Sequence, residues 1–194
     1  ELAHEDAAFP VLSYDALTLS SGGQDLYDAQ IRTPLIARIA ARAGYPWVSP
    51  VHSAAVYING AYYGHAYLTS RMDDSLLESF LNRPREDFAA FNGGVKRLRS
   101  SPKYPELLNW RMIKGFRALT RRCELESMSD SLYKDIASQI DVDDFLLYYA
   151  IETYIDHREW LHDDQNNIKV WRYAGVDRVP GSALDGRWRY VLYD

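Results

Sequence analysis

The chain has 194 residues, of which 47% are hydrophobic, so it is long and apolar enough to form one folded domain with a real core. Its formal net charge of −5 gives no support for a broad nucleic-acid or membrane surface, although a local basic pocket for phosphate remains compatible with it. No segment approaches the roughly 18–20 apolar residues of a membrane-spanning helix. We therefore expect neither a nucleic-acid partner nor a membrane span.

The first half of the chain predicts a helix followed by a β-hairpin. Residues 34–43 carry apolar side chains at helical spacing, and Gly44 suits the end of that helix. Asn59-Gly60 separates two β-rich runs, which is a strong signal for a tight hairpin turn. The sequence thus predicts paired strands at 51–58 and 61–69.

The second half reads as mostly helical between about 85 and 140 and ends in short strands. A helix over 141–156 is the clearest, because acidic residues at its start favour the helix N-terminus. Two strand-like runs, IKVWRY and RWRYVLYD, are predicted to pair as a ribbon. The residues of the 141–156 helix predicted to face the core are Phe145, Leu146, Tyr149, Ala150, Thr153 and Tyr154.

An acidic loop, DHREWLHDDQNN, lies between that helix and the first of these strands. Such a loop fits either a site with a metal ion and a proton acceptor or an ordinary solvated turn. The spacing lacks the His-x3-His pair of a helical zinc site, and hard oxygen ligands suit Mg²⁺ or Mn²⁺ better.

The order of helix, hairpin, helices, acidic loop, strand, turn, strand and Asp is that of a protein kinase from its small-lobe helix to its metal-binding Asp. The motifs go further, and the chain resembles the spore coat protein H (CotH) kinase family along nearly its whole length. Four blocks carry the resemblance: LSSGGQD at 19–25, YINGAYYGHAYLTSRMD at 57–73, QIDVDDFLLYYAIETYIDHREW at 139–160, and NNIKVWRY together with GRWRYVLYD.

The resemblance implies an α+β, protein-kinase-like two-lobe fold. Residues 1–70 would supply part of the small-lobe sheet, and residues 71–194 a mostly helical large lobe. The chain begins without Met and stops within a strand pattern, so we interpret it as part of a longer protein. The glycine-rich loop and nucleotide lysine of the family are then expected before residue 1, and the second Asp of the terminal pair after residue 194.

The resemblance also implies a set of site residues. Trp160 matches the family's loop Trp, which puts Glu159 at the catalytic Asp position. The loop is longer than the family's, so Asp164, or Asp163, is an alternative for that position. Asn167 and Asp194 match the metal-binding Asn and Asp. The hinge that would meet adenine through its backbone corresponds to Tyr67, Leu68, Thr69, Ser70 and Arg71.

Each assignment has a structural alternative. Glu159 is equally interpretable as a capping or salt-bridging acid, and Asn167 as a turn residue before a strand. His157 is expected to brace the loop through hydrogen bonds rather than to act as a base. A turn cap is favoured for Asp25 over a contact with nucleotide.

The implied activity is a kinase that uses ATP and Mg²⁺ (or Mn²⁺) to phosphorylate Ser or Thr on a protein substrate. That substrate would be a spore-coat, secreted or other extracytoplasmic protein. One alternative is a catalytically impaired pseudokinase that serves as a structural coat or surface protein. Another is ATP-dependent transfer of AMP.

Glu159→Asp tests the loop assignment. The Glu carboxylate is displaced by roughly 1 Å relative to that of Asp, and catalysis is sensitive to errors of that size. In a working kinase loop, Glu159→Asp should therefore increase the radiolabel transferred from ATP by the full-length protein. Unchanged transfer would mean that the role has lapsed or lies with Asp163 or Asp164.

Overall fold

The described part of the chain is an α+β structure with two small antiparallel sheets and five α-helices. Its residues up to Arg83 form one compact unit, and those from Pro84 onward form another. The lobe boundary predicted at 70/71 lies at the end of a strand within the first unit and stays a prediction. This computed structural model describes residues 16–71, 74–92, 99–100, 106–157, 159–160 and 167–192.

The first unit contains a three-stranded sheet in the order β1-β3-β2. Its tight turn has positive φ at Asn59 (50°) and Gly60 (82°), as a type I′ hairpin turn requires, so the predicted hairpin is confirmed. The elements are β1 (Leu17–Ser20), a 3-10 turn (Gly23–Tyr27), α1 (Arg32–Arg42), β2 (Val51–Ile58), β3 (Ala61–Ser70) and α2 (Asp74–Leu81).

A buried acid organises the turn before α1. Asp25 is 5% exposed and accepts hydrogen bonds from the backbone N–H groups of Gln30 (3.1 Å) and Arg32 (2.8 Å). The hydroxyl of buried Tyr67 donates to the same carboxylate at 3.3 Å. Asp25 is therefore a turn cap, as the sequence predicts.

The second unit contains a four-stranded sheet in the order β5-β4-β6-β7, with three helices. None of the helices in the described ranges is both long and apolar enough to cross a membrane. The elements are a 3-10 turn (Arg85–Asp87), β4 (Phe88–Asn92), β5 (Arg99–Ser100), α3 (Glu106–Leu125), α4 (Asp130–Gln139), α5 (Val142–Tyr154), β6 (Lys169–Tyr173) and β7 (Arg189–Val191).

Strand pairing confirms one prediction and corrects another. β6 and β7 pair antiparallel, as the ribbon prediction requires. β4, however, lies in a region predicted to be mostly helical and pairs with β6 along its full length. A short, mostly apolar segment does not reveal its own secondary structure, and here the long-range partner decided it. The buried core of this unit comprises Ala89, Ile113, Phe116, Leu119, Leu132, Ile136, Ile140, Val170 and Trp188.

The predicted core face of α5 is wrong except at Phe145, which packs against the core of the second unit. Leu146 is 57% exposed and Tyr154 is 77% exposed, although both were predicted to face the core. The buried side chains are instead Tyr148, Ile151 and Glu152, which follow one another at helical spacing on a different face. Because apolar residues surround most of this helix, periodicity did not distinguish its faces, and packing against β7 and the following loop selected one.

Gly22→Ala should be more destabilising than Gly23→Ala. Both glycines have positive φ, at 85° and 55°, so Ala adds about 1 kcal/mol of backbone strain at either position. Only at Gly22 would the new Cβ meet another residue, the Tyr67 ring at 2.6 Å. This overlap should lower the free energy of unfolding, measured with urea, by about another 1–3 kcal/mol. Equal losses in the two variants would contradict the close approach.

Candidate active site

Two of the sequence-predicted site residues meet in the structure. The Asn167 side-chain nitrogen donates a hydrogen bond to the Glu159 carboxylate, with 3.0 Å between Nδ2 and Oε2. Glu159 is exposed, while Asn167 is partly buried and adopts a left-handed backbone conformation with φ 59°. An exposed acid is therefore held beside the predicted metal ligand.

The sheet fixes the position of Asn167. This residue lies just before β6, which pairs with β4 on one edge and β7 on the other. Lys169, the first residue of β6, is opposite both Asn92 and Val191. Ile168 packs against the core of the second unit. Asn167 thus projects from the end of a central strand, which is a rigid support for a functional side chain.

The end of α5 fixes the other side of the loop. Its terminal hydrogen bonds form a Schellman motif, in which His157 N–H donates to Glu152 C=O (3.1 Å) and Asp156 N–H to Thr153 C=O (3.3 Å). Asp156 has the positive φ, 53°, that this motif requires at its turning residue. The helix therefore ends sharply, and the backbone changes direction just before Glu159.

Glu152 and His157 also pair through their side chains. His157 Nδ1 lies 2.6 Å from Glu152 Oε2, which is a short hydrogen bond between the two side chains. Glu152 is fully buried, and its other oxygen, Oε1, has no hydrogen-bond partner among the described residues. The prediction that His157 braces the loop is confirmed.

Trp160 anchors the loop in an aromatic cluster. Its ring is 7% exposed and meets Tyr148 and Tyr149 edge-on, with ring centroids 5.6 and 5.2 Å apart. Tyr148 in turn stacks on Tyr190, at 5.0 Å. These contacts bury the residue next to Glu159 while Glu159 itself stays in solvent.

An ion-pair network fixes the start of α5. Asp141 caps the helix by accepting from Asp144 N–H, and its carboxylate also binds Arg187 (2.9 Å) and Arg189 (2.7 Å). Asp185 binds the same two arginines, at 2.7 and 3.1 Å. The side chains of Arg189 and Asp185 are nearly buried, so solvent screens this network less than a surface pair.

The predicted adenine-contact segment lies in the first unit, at the end of the central strand. Tyr67 to Ser70 pair with β1 on one edge, and Tyr67 to Thr69 with β2 on the other. Arg71 N–H donates to Ala16 C=O at 3.3 Å. The Ser70 hydroxyl is buried against that of Ser49. An adenine contact by this segment stays a prediction, and it would have to use main-chain groups that this pairing leaves unused.

Three predicted acids lie outside the described residues, namely Asp163, Asp164 and Asp194. Within the described ranges, no three His, Cys, Asp or Glu side chains converge as a metal-binding group. The metal site predicted from Asn167 and Asp194 accordingly has one ligand within the described residues.

Comparison with known proteins identifies the family of this chain. A family model described as "CotH kinase protein" matches residues 3–194, which is almost the entire length. The chain belongs to the CotH kinase family. The resemblance inferred from its motifs is thereby confirmed, and membership supports a kinase-like function and an association with spore coats. A search of curated proteins found no match.

Sequence reasoning missed Glu152. This acid lies within the apolar run FLLYYAIETY and five residues before His157. A charged residue inside a nearly continuous apolar segment is a signal for a buried, paired group, since unpaired burial of a charge is costly. The amphipathic pattern assumed for this helix concealed that signal by assigning the wrong face to the core.

Asp185→Asn should destabilise the protein in a pH-dependent way. Burial alone would raise the pKa of Asp185, but hydrogen bonds from Arg189 and Arg187 outweigh it and hold this pKa below its ordinary value of about 3.9. A lowered folded-state pKa means that the stabilisation is present above about pH 4 and is lost as the pH falls further. At pH 7, Asp185→Asn should cost about 3 kcal/mol in free energy of unfolding.

The difference between wild type and Asp185→Asn should shrink when chemical unfolding is repeated below pH 4. Glu124→Gln, which changes an exposed acid on α3, is the matched control and should have little effect. A pH-independent difference for Asp185→Asn would contradict the ion-pair account.

Proposed function

We propose that this protein is an ATP-dependent kinase that transfers phosphate to Ser or Thr hydroxyls of a protein partner in the spore coat or another extracytoplasmic setting. The observation that best supports this is the hydrogen bond from Asn167 to Glu159. Kinase chemistry needs an acid near the acceptor hydroxyl and an Asn on the same loop for the metal. The loop brings these two residue types together although they are eight positions apart.

Asn167 fits Mg²⁺ by its chemistry. Its amide nitrogen is engaged by Glu159, and this leaves the amide oxygen, a hard acceptor, for a cation. We propose that Asn167 and Asp194 hold Mg²⁺ (or Mn²⁺), which when bound neutralises charge on the ATP phosphates.

Glu159 is proposed to orient the acceptor hydroxyl, with Asp164 as the alternative acid. In the reaction, a new bond forms between the hydroxyl oxygen and the γ-phosphorus, and the bond from that phosphorus to the bridging oxygen of ADP breaks. The hydroxyl proton passes to the carboxylate, and ADP leaves with the bonding electrons. Positioning and charge stabilisation would supply most of the rate enhancement.

The two compact units would correspond to parts of the small and large lobes of a kinase-like fold. The segment Tyr67 to Arg71 is the proposed adenine contact.

A pseudokinase with a structural role in a coat or on a surface is the second candidate. Two features favour it. One oxygen of Glu159 is already engaged by Asn167, and the acid is a Glu rather than the family's Asp. Such a protein would bind nucleotide without transferring phosphate.

Asn167→Gly should strongly reduce phosphate transfer without destabilising the protein. Glycine adopts the φ of 59° at this position without strain, so the variant removes the proposed ligand and keeps the backbone. Asn167→Ala removes the same side chain but should lose about 1 kcal/mol of stability. With full-length protein, Mg²⁺ and [γ-³²P]ATP, autophosphorylation and labelling of casein should fall about 100-fold or more in both variants and in Asp194→Ala.

Equal labelling by wild type and all three variants would overturn the site assignment. Transfer of label from [α-³²P]ATP instead would indicate attachment of AMP. A nucleotide-dependent rise in melting temperature with no transfer of either label would indicate the pseudokinase.

A further inference from the structure

The Schellman motif at the end of α5 contains an unusual pair of side chains. In this motif the third residue from the helix end and the second residue beyond the cap commonly make a hydrophobic contact. Here those two positions are Glu152 and His157, and their side chains form a hydrogen bond instead. Two hydrogen bonds, one main-chain and one side-chain, therefore join the same two residues.

This pair is a costly way to end a helix. Glu152 is fully buried with Oε1 unpartnered among the described residues, and the side chain of His157 is only 13% exposed. A buried carboxylate with one unsatisfied oxygen is less stabilising than an apolar contact of similar size. Positions where local chemistry departs from the most stable choice are where functional constraints are expected.

A hydrogen bond supplies something that an apolar contact does not, which is direction. The 2.6 Å contact fixes the orientation of the His157 ring relative to the helix, two residues before Glu159. Hydrophobic contacts have no comparable directional preference. Asn167 is held independently by β6, so the contact between Glu159 and Asn167 requires the loop to leave α5 in one direction.

We propose that Glu152 and His157 are positioning residues for the active-site loop, which set the exit of the chain from α5 so that Glu159 meets Asn167. This inference rests on the proposed function for its catalytic consequence. The structural part of the inference is that the contact between Glu159 and Asn167 depends on the buried pair. This part does not depend on the proposed function.

The double variant Glu152→Leu/His157→Leu is the decisive test, because it replaces the hydrogen-bonded pair by the apolar contact that Schellman motifs commonly contain. Its melting temperature should equal or exceed that of wild type. His157→Asn is the conservative control, since the Asn side-chain amide can form a hydrogen bond to Glu152 from a place near that of Nδ1. Leu132→Ala, a buried change on α4, is the control for general destabilisation.

The first readout is the Asn167 side-chain amide resonance of the ¹⁵N-labelled full chain. The resonance is assigned because it is missing from the spectrum of Asn167→Gly. The spectrum of Glu159→Ala then gives the chemical shift of the Asn167 amide when no Glu159 carboxylate is hydrogen-bonded to it. The double variant should shift the resonance towards its position in Glu159→Ala, whereas His157→Asn and Leu132→Ala should leave it near the wild-type position. A wild-type position in the double variant would overturn the inference, as would a melting temperature so low that the loss is one of folding.

The second readout is phosphate transfer by the full-length protein. The double variant should lower kcat about 10- to 100-fold and leave the KM for ATP nearly unchanged, because displacement of the acid by about 1 Å has effects of this size. His157→Asn should recover most of the rate. Wild-type kcat in the double variant would overturn the inference while leaving the proposed function intact. Absence of transfer by wild type would sink the proposed function, and the resonance would then decide the inference by itself.

Discussion

The pairing of Glu152 with His157 is the constraint on which the loop geometry depends. It joins the last turn of α5 to the first residues of the loop through both main chain and side chain. Because Glu152 is buried and cannot shift without disturbing the core, the loop leaves the helix at a fixed point. Trp160 then fixes the next point by packing against α5, and Glu159 is left exposed between the two anchors.

The remaining supports of the site come from opposite directions. The start of α5 is tied by Asp141 to Arg187 and Arg189, close to and within β7, and β7 pairs with β6. Asn167 extends from the start of β6. The helix that carries one end of the loop and the strand that carries the other are thus linked by partly buried ion pairs as well as by the core. A loop between two mutually fixed ends holds its side chains more precisely than one between mobile ends.

The substitution of Glu for Asp acquires a physical meaning in this setting. The longer side chain of Glu159 reaches the Asn167 amide nitrogen, so acid and amide are already organised before any substrate is bound. That hydrogen bond also directs the Asn167 oxygen away from Glu159 and makes it available to a cation. The same contact is compatible with a preorganised kinase site and with a site whose acid has become a structural bridge.

The sequence by itself determined the family, the Asn-Gly hairpin, the clearest helix and the roles of Asp25 and His157, because these depend on short spacings and on local turn chemistry. Only the tertiary structure decided that β4 is a strand and that Glu152 lies on the buried face of α5. A strand needs a partner distant in the chain, and a helix that is apolar nearly all round has no face of its own. Packing therefore decided the pairing of β4, the buried face of α5 and the contact of Glu159 with Asn167.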